Sequence, residues 1–593
     1  MLDILWIVLF MLLVIGVPYI YSKKGVRFCI GIAYAIGVIV FAKLFYEYQG
    51  LKSVLSSFVF SAQLFAFNVS GSDLVEMLEV AKENISFSFV LCAWAAFLVC
   101  PVLTISVLLT YIKKTLDRVK LKTRMFRDIY IFTYKCESAY LLAQDICEAN
   151  KRAVVVFADS DGEDAGGRIL SVCRPALEIV SMLNGTNNIN LCINDTDTGE
   201  ILDKLNNFLA KQKPKAKKNK IYIFSDNPIA HEVIDGIKKT APEQHIQVIS
   251  TNALLMREIL WDYPLFSNMH SQDELNVTVL GVGDFGGYFA MNTLWCATLP
   301  DCRLKLNLVD TDKEENILRR VSANIPKDYF DIEVFSENIN TNCFFDKISG
   351  SRLKNSDYIL VAMGNDDLNI NISRKVRLHF ARFGKNPFIM TVLKNQSKFS
   401  VMKETLAKEG VVVTGGAENM YSYDRMFNDR FFSRAFEVYK IVEKNYGNDV
   451  TREDFYRQNQ IDIFSSYANA IHCKYKVFYL TGTKDPTKEQ IQSALMEKLE
   501  KIMYSEHERW VAYELLRGYV GVAREDLPEF FENNKATGKI HKNEALKMHA
   551  CITDLAGVEY VDNLIEQMYG KKRNLVEIDE LIARKTADIW FVK

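Results

Sequence analysis

Three glycines near the middle of the chain have the spacing of a phosphate-binding turn. Gly281, Gly283 and Gly286 form a GxGxxG pattern directly after an apolar run at residues 276–280. The first glycine permits a tight turn, the second lets phosphate oxygens reach backbone N–H groups at a helix N-terminus, and the third lets helix and strand pack closely. The residues predicted to bind a pyrophosphate are Gly281, Val282, Gly283, Asp284, Phe285 and Gly286.

Two later strand ends supply further candidates for the same crevice. The apolar run at residues 304–309 ends in Asp310 and Thr311, where a carboxylate would accept hydrogen bonds from ribose hydroxyls. Gly364 ends another run, residues 358–364, which is expected to lie across the point where the strand order reverses. Together these elements predict a cofactor site for NAD or another adenosine nucleotide. A Rossmann fold that has lost its ligand is the alternative.

Strands alternate with helical segments across residues 127–265 and again across residues 275–416, which predicts two parallel, doubly wound α/β domains. The first turn of the earlier domain reads TYKCES, residues 133–138, and holds no glycine. A backbone without glycine does not allow the usual close approach of a pyrophosphate. We therefore interpret the first domain as a degenerate Rossmann-like scaffold and the second as the nucleotide-binding domain.

The second α/β domain resembles the Trk-type NAD-binding, or RCK, domain. The matching segments are VLGVGDFGGYFA at residues 279–290, LVDTD at residues 308–312 and YILVAMGNDDLNI at residues 358–370. RCK domains regulate potassium channels and transporters. The resemblance therefore implies control by a ligand rather than turnover of a substrate.

The last part of the chain, residues 425–593, is predicted to be mainly helical. It contains the segment EHERW at residues 506–510. On a helix, His507 and Trp510 share one face and Arg509 lies on another. From spacing alone, a core tryptophan accompanied by surface ion pairs explains this pattern.

EHERW, with GY at residues 518–519 and IFSSYANAIHCKYKVFYL at residues 463–480, resembles the ryanodine-receptor repeat (RyR) domain of bacterial proteins. Bacterial members often join this domain to a Trk-type NAD-binding domain in the order found here. The family commonly continues Gly-Trp-x-Tyr-Gly, whereas this chain reads GYVGV at residues 518–522, so one aromatic position differs. The resemblance implies a sensor of nucleotide-like signals, in some members for anti-phage defence. The residues predicted to border its ligand pocket are His507, Arg509, Trp510 and Tyr519.

The first 112 residues have the composition of a transmembrane domain. Runs with at most one charge at residues 4–22, 28–46 and 85–111 are each long enough to cross a bilayer as a helix. A cleaved signal peptide is the alternative for the first run. Residues 57–70 are apolar but too short to span, which fits either a re-entrant half helix or an interfacial helix.

The basic residues around these runs predict an orientation. Three lie at residues 23–27 and seven in and just after a linker at residues 113–126, whereas residues 47–83 are acidic overall. Basic loops stay in the cytosol. The predicted topology in the cell (inner) membrane is therefore three spans, with the N-terminus outside and everything after about residue 111 in the cytosol.

The composition argues against several other classes. Lys and Arg total 72 and Asp and Glu total 73, a net charge of -1, which gives no reason to expect a nucleic-acid partner. The 12 cysteines are scattered, so neither a disulfide framework nor a metal site is predicted. No YxxxK, HExxH or Walker lysine accompanies the glycine pattern, so no residue is predicted to be catalytic.

These features predict a multidomain protein with a transmembrane helical bundle, two Rossmann-like α/β domains and a mainly α RyR-type domain. The predicted function is a ligand-gated membrane protein, such as a nucleotide-sensing ion channel or a permeability effector in bacterial defence. Because three spans per chain cannot enclose a pore, we expect a homo-oligomer in the lipid bilayer. The alternatives are a membrane-anchored NAD-dependent oxidoreductase and a non-conducting, membrane-anchored nucleotide sensor.

Overall fold

The protein divides into two compact units, Met1–Met125 and Phe126–Lys593. We describe them from a computed structural model. The described residues are 2–17, 26–49, 53–123, 127–160, 167–183, 188–194, 219–241, 244–323, 325–537, 539–570 and 572–592, with isolated positions between 199 and 209.

The described part of the first unit is helical. Its helices are α1 (Leu2–Met11), extended by a π-helical turn (Leu12–Gly16), α2 (Val26–Gln49), α3 (Ser53–Phe65), α4 (Gly71–Val80) and α5 (Phe87–Lys122). Helix α5 carries the apolar run and the basic segment without a break. The predicted linker at residues 113–126 is therefore helical as far as Lys122, and residues 124–126 lie outside the described residues.

Small and hydroxyl-bearing side chains lie where the helices of the first unit meet. Ser57 and Ser61 of α3 are buried, and a Cβ added to Gly37 of α2 would lie 3.2 Å from the Ser61 Oγ. Thr104 of α5 donates from Oγ1 to the Phe65 carbonyl at 2.9 Å. Close helix contacts through small residues are typical of bundles in an apolar medium.

Large apolar side chains of the first unit point outward. They include Ile4, Ile7, Val8, Ile15, Leu55, Val59, Phe87, Leu98 and Val102. Such an apolar exterior is uncommon on a soluble monomer and marks a surface that binds lipid or protein.

Two helices in the described part of the first unit are long and apolar enough to cross a bilayer, within Cys29–Tyr46 and Phe87–Leu108. The first predicted span, residues 4–22, does not meet that criterion, because only its helical part up to residue 17 is described and residues 18–22 lie outside the described residues. The three-span topology and its orientation therefore remain predictions. Residues 57–70 begin within helix α3 and continue past its end at Phe65, which leaves the re-entrant and interfacial alternatives open.

The second unit begins with a six-stranded parallel sheet whose strand order is β3-β2-β1-β4-β5-β6. Its elements are β1 (Asp128–Phe132), α6 (Glu137–Ala149), β2 (Ala153–Ala158), β3 (Ile169–Val172), α7 (Ala176–Leu183), β4 (Asn188–Ile193), β5 (Lys220–Phe224), α8 (Pro228–Thr240), β6 (His245–Ile249) and α9 (Thr251–Asp262). The central strands are apolar on both faces, as expected for a sheet covered by helices on both sides.

A second six-stranded parallel sheet follows, with the order β12-β11-β10-β7-β8-β9. Its elements are β7 (Glu274–Leu280), α10 (Asp284–Cys296), β8 (Arg303–Asp310), α11 (Glu314–Val321), β9 (Ile332–Ser336), α12 (Asn342–Gly350), β10 (Tyr358–Val361), α13 (Asp366–Arg382), β11 (Phe388–Leu393), α14 (Gln396–Lys408) and β12 (Val411–Gly415). In both sheets the first and fourth strands are neighbours, so the strand order reverses between them.

The prediction of two parallel α/β domains is confirmed, but three strands were missed. Strands β3, β9 and β12 all lie at sheet edges. β3 has four residues, and none of the residues of β9 is fully buried. The shortness of β3 and the half-exposure of β9 weaken the apolar run that identifies a strand. β12 differs, because residues 411–413 do form such a run and the strand is mostly buried.

The chain then returns to the first sheet before it enters the helical region. Helices α15 (Ala417–Met420) and α16 (Tyr423–Phe427) make this return. Phe427 packs edge-on against Tyr222 of β5, with ring centroids 4.8 Å apart. The remaining elements are α17 (Phe432–Asn445), α18 (Arg452–Arg457), α19 (Gln460–Thr481), α20 (Lys488–Leu515), α21 (Leu527–Asn534), β13 (Lys542–Asn543), β14 (Met548–His549), α22 (Leu555–Tyr569), α23 (Leu575–Arg584) and α24 (Thr586–Phe591).

Candidate functional site

The turn between β7 and α10 has the geometry that its glycines predict. Gly281 has a φ of 90°, and a Cβ there would lie 2.7 Å from the Ala362 carbonyl oxygen on the neighbouring strand end. A Cβ on Gly286 would lie 2.0 Å from the Gly281 carbonyl oxygen, whereas a Cβ on Gly283 would meet nothing within 4 Å. Gly281 and Gly286 are therefore required by packing, and Gly283 leaves open space above the helix N-terminus.

Asp310 is engaged with the backbone of this turn. Its Oδ2 accepts from the Val282 N–H at 2.8 Å, and its Oδ1 accepts from the N–H groups of Thr311 at 2.7 Å and Asp312 at 3.3 Å. Arg320 donates to the Val282 carbonyl at 3.2 Å and approaches Asp310 at 3.7 Å. This carboxylate is therefore a backbone acceptor as well as a candidate ribose ligand.

A cavity of about 590 Å³ lies at the carboxyl ends of the second sheet's strands. Seven of the nine predicted cofactor-binding residues line it: Gly281, Gly283, Asp284, Phe285, Asp310, Thr311 and Gly364. Val282 and Gly286 do not line the cavity, since both are buried in the turn beneath it. We call this cavity the second-domain crevice.

The second-domain crevice also contains residues that the sequence reasoning did not identify. Asn338 and Asn340 follow the missed strand β9, and Lys394 follows β11. Lys394 is exposed, and among the described residues that line the crevice it is the only lysine or arginine. Because parallel strands end at one edge, the residues that follow β9 and β11 were recoverable once those strands were placed in the sheet.

The loops after β10 and β11, which border the crevice, are held by side-chain hydrogen bonds to the backbone. Asn369 accepts from the Met363 N–H at 2.7 Å and donates to the Val392 carbonyl at 2.8 Å. Asp366 accepts from the N–H groups of Lys394 at 3.0 Å and Asn395 at 2.8 Å. These bonds fix the loops after β10 and β11 at the edge of the crevice.

The first α/β domain has a smaller cavity, of about 230 Å³, at its own strand ends. Cys136 and Ser138 line it where a glycine-rich turn would lie, and Tyr421 from α15's C-terminal end also borders it. This arrangement is consistent with a scaffold domain that lacks the glycine turn.

A third cavity, of about 480 Å³, lies in the helical region and is called here the helical-domain cavity. His507, Arg509 and Trp510 of α20 line it. Tyr519 does not, because it is buried beneath Lys542, whose Nζ lies 4.9 Å from the ring centroid. Three of the four predicted pocket residues are therefore brought together, and the fourth supports the wall.

The carboxylate of Glu506, the first residue of EHERW, is the centre of a buried charge cluster. Glu506 accepts from Arg509 Nε at 2.9 Å and Nη2 at 2.7 Å, from Lys476 Nζ at 2.9 Å and from Asn469. Burial alone would raise the pKa of Glu506, but Arg509 and Lys476 outweigh it and hold that pKa well below its usual value. The surface ion pairs expected from spacing are thus a buried network.

This cluster lies beside the C-terminal end of the helix that begins at the glycine turn. The Thr298 carbonyl, just after α10, accepts from His472 Nε2 at 2.9 Å and from Ser505 Oγ at 2.7 Å. Helix α10 therefore starts at the second-domain crevice and ends against the helices that carry the Glu506 cluster.

His507 is held by a second acidic partner. Its Nδ1 lies 2.9 Å from Asp579 Oδ2, and its Nε2 lies 2.7 Å from the Thr553 carbonyl oxygen. Burial would lower the pKa of His507, but Asp579 more than offsets this and raises it. Its ring lies 5.8 Å from that of Trp510, so the pair fixes one wall of the cavity.

The fold and the crevice define an α/β protein with two Rossmann-type domains and a glycine turn at a strand-order reversal. No protein-family model and no curated protein matches the chain. Solved structures that are similar to it include those titled "Crystal structure of the GsuK bound to ADP" and "GsuK Channel", and a crystal structure of a GsuK mutant.

The alignments with these structures cover most of each chain, but the sequence identities and TM-scores are low. In that order, the identities are 14%, 12% and 12%, with TM-scores of 0.33, 0.34 and 0.33. The alignments cover 67%, 67% and 68% of this chain and 94%, 81% and 97% of those chains. Similarity at this level does not assign the chain to a family.

Proposed function

We propose that the chain is a membrane-embedded nucleotide sensor that regulates permeation. In this proposal the second-domain crevice binds NAD or another adenosine nucleotide, and the first unit lies in the cell (inner) membrane as part of a homo-oligomer. The N-terminus is outside and the α/β and helical domains are cytosolic. The protein acts by regulation and not by catalysis.

One observation carries the nucleotide part of the proposal. At Gly281 and Gly286 a side chain would collide with backbone, whereas at Gly283 the space above the helix N-terminus is empty. Backbone N–H groups at a helix N-terminus favour a negatively charged group. A turn that is compact below and open above is what pyrophosphate binding requires.

The membrane part of the proposal rests on the first unit. Its apolar side chains face outward while small and hydroxyl residues lie between its helices. Lipid contact accounts for that distribution directly, since bundles in lipid pack through small residues and expose large apolar ones.

A titration of the full chain in detergent tests the nucleotide site. NAD, NADP, ADP and ATP are titrated by calorimetry into wild type and into Gly283→Ala, which the fold tolerates because its Cβ meets nothing within 4 Å. We expect binding to wild type, with NADP weaker than NAD because Asp310 repels a 2′-phosphate, and weaker binding to Gly283→Ala, by about tenfold or more. Absence of binding by all four nucleotides would overturn the site.

Measuring ion flux from liposomes that contain the full chain distinguishes regulated permeation from the two alternative functions. Flux that changes with the bound nucleotide supports regulated permeation. Nucleotide binding without any flux identifies a non-conducting anchored sensor. Hydride transfer from NADH to an added substrate identifies the oxidoreductase.

A further inference from the structure

The helical-domain cavity is lined by cationic side chains whose N–H groups are only partly used by the protein. Arg509 uses Nε and Nη2 on Glu506, and its Nη1 is buried without a partner in the described part of the chain. Lys542 and Arg573 also line the cavity, and neither has a carboxylate within ion-pair distance among the described residues. A buried donor without an acceptor is costly. A ligand that brings acceptor atoms into the cavity would remove that cost.

The carboxylates of the same cavity already have partners. Glu506 is held by Arg509 and Lys476, and Asp579 by His507. Asp462 accepts from Asn459 at 2.7 Å. Glu443 accepts from Asn448 at 2.7 Å. Glu506 and Asp579 are therefore paired with basic side chains, and Asp462 and Glu443 with side-chain amides. Lys542 and Arg573, both close enough to influence His541, form a cationic region of the cavity.

The pKa values of two histidines that line the cavity reflect the positive charge nearby. Burial lowers the pKa of His541 to about 4, and Arg573, Lys542 and Lys539 contribute to that lowering, in that order. The pKa of His549 is lowered well below its usual value by burial and by His541 and Lys542. These cations therefore act on His541 from nearby, and the lowered pKa values of both histidines favour neutral rings.

An aromatic surface lies beside this cationic region. Trp510 is only partly buried and lines the cavity, and its ring meets His549 edge-on with centroids 4.9 Å apart. Aromatic side chains of this kind bind planar rings by stacking. The cavity thus offers an apolar face and a cluster of donors within about 480 Å³, a size typical of small-molecule sites.

We infer that the helical-domain cavity binds a small organic anion that carries an aromatic ring. Its acidic group is held by Arg573, Lys542 and the free N–H of Arg509, and its ring packs against Trp510. This site is separate from the second-domain crevice and does not depend on nucleotide binding there.

Phenyl phosphate is a suitable probe because it joins a ring to an anion and has no ribose. It is titrated by calorimetry into the full chain in detergent, beside inorganic phosphate and phenol. We expect phenyl phosphate to bind more tightly than either. Equal affinity for phenyl phosphate and inorganic phosphate would show a bare anion site and overturn the inference, as would the absence of binding by all three.

Two charge-removing variants locate the anion. Arg573→Gln and Lys542→Gln should each weaken phenyl phosphate at least about tenfold, because a hydrogen bond to a charged group is lost. Arg584→Gln removes the same charge from α23, where Arg584 is exposed and paired with Glu580, and should bind as wild type does. Wild-type affinity in both cavity variants would overturn the inference.

A crevice variant separates this inference from the proposed function. Gly283→Ala should bind phenyl phosphate like wild type, because its change lies in the other site. Loss of phenyl phosphate binding in Gly283→Ala places the probe in the second-domain crevice and contradicts the inference. Failure of NAD to bind, with the phenyl phosphate results as expected, overturns only the proposed function.

Discussion

At the scale of single residues, Asp310 has two tasks that its position in the sequence does not reveal. It accepts three backbone N–H groups, including that of the fully buried Val282. A carboxylate has room for about four such bonds, and the fourth position takes the Thr311 hydroxyl at 3.4 Å, a long bond that a ribose hydroxyl would replace. The same side chain therefore holds the glycine turn and lines the second-domain crevice.

Asp310→Asn should weaken both binding and folding. The amide nitrogen cannot accept, so at least one backbone N–H loses its partner, at a cost of about 1–3 kcal/mol. Nucleotide affinity should fall about 10- to 150-fold if a ribose hydroxyl replaces the Thr311 hydroxyl on Asp310. Chemical denaturation of the unliganded chain and calorimetry measure the two effects.

Asp273→Asn is the matched control for this change. Asp273 is exposed just before β7, at the opposite end of that strand from the crevice, so its substitution removes the same charge outside the site. We expect unchanged stability and no loss of affinity. If Asp273→Asn reproduces the effects of Asp310→Asn, net charge and not the specific hydrogen bonds is responsible.

Glu506 shows the opposite situation, a residue whose charge is needed by its neighbours. Glu506→Gln leaves Lys476 and Arg509 buried without a counter-charge and should lower the free energy of unfolding by about 3–5 kcal/mol. Because the pKa of Glu506 is depressed, its contribution is complete above its ordinary value of 4.5 and is lost only as the pH falls towards the depressed one.

Glu580→Gln is the corresponding surface change. Glu580 pairs with Arg584 at an exposed i,i+4 position of α23, and its loss should cost under about 0.5 kcal/mol. Thermal unfolding at neutral pH compares the two variants. Similar small costs would mean that the Glu506 cluster is hydrated in solution.

At the scale of elements, helix α16 fastens the second α/β domain to the first. Phe427 contacts the rings of Tyr130 and Tyr222, with centroids 5.3 and 4.8 Å away. Arg425 pairs with Glu258 of α9 in the same region. This short helix therefore joins elements that lie far apart along the chain.

Phe427→Ala should lower the free energy of unfolding by about 3 kcal/mol, because it leaves a cavity between α16 and the first sheet. Hydrogen exchange should speed up in β1 and β5. Phe383→Ala is the control, since that ring is 59% exposed and its loss should cost under about 0.5 kcal/mol. Unchanged exchange in β1 and β5 would show that α16 is not a structural tie.

At the scale of the whole molecule, the two units have different relations to solvent. The unit Phe126–Lys593 has its own hydrophobic cores under two sheets and a helical region. The unit Met1–Met125 exposes apolar side chains along its helices. Cores of the first kind stabilise a domain in water, whereas the exposed apolar side chains of the second kind mark a surface that binds lipid or protein.

A fragment of residues 126–593 should therefore fold without detergent. We expect a single soluble species with cooperative thermal unfolding, whereas the full chain should require detergent to stay dispersed. Size-exclusion chromatography and circular dichroism, with and without detergent, measure this. A full chain that is equally soluble in plain buffer would contradict the membrane assignment.

The sequence by itself determined the parts whose signal is local. The apolar runs give the central strands, and the glycine spacing gives the turn at Gly281, Gly283 and Gly286, because each depends on neighbouring residues. Helix α20, which carries EHERW, follows from local periodicity as well. The length and low charge of the apolar runs in the first unit predict membrane spans in the same local way, and this stays a prediction.

Tertiary structure decided what depends on contacts between distant segments. The edge strand β9 and its Asn338, the return of α16, and the burial of Glu506 against Lys476 all arise from residues far apart in the chain. The second task of Asp310 has the same origin, since its partner Val282 lies on another strand's turn. Such features have no local pattern, because packing and the need to satisfy buried polar groups act only once the chain has folded.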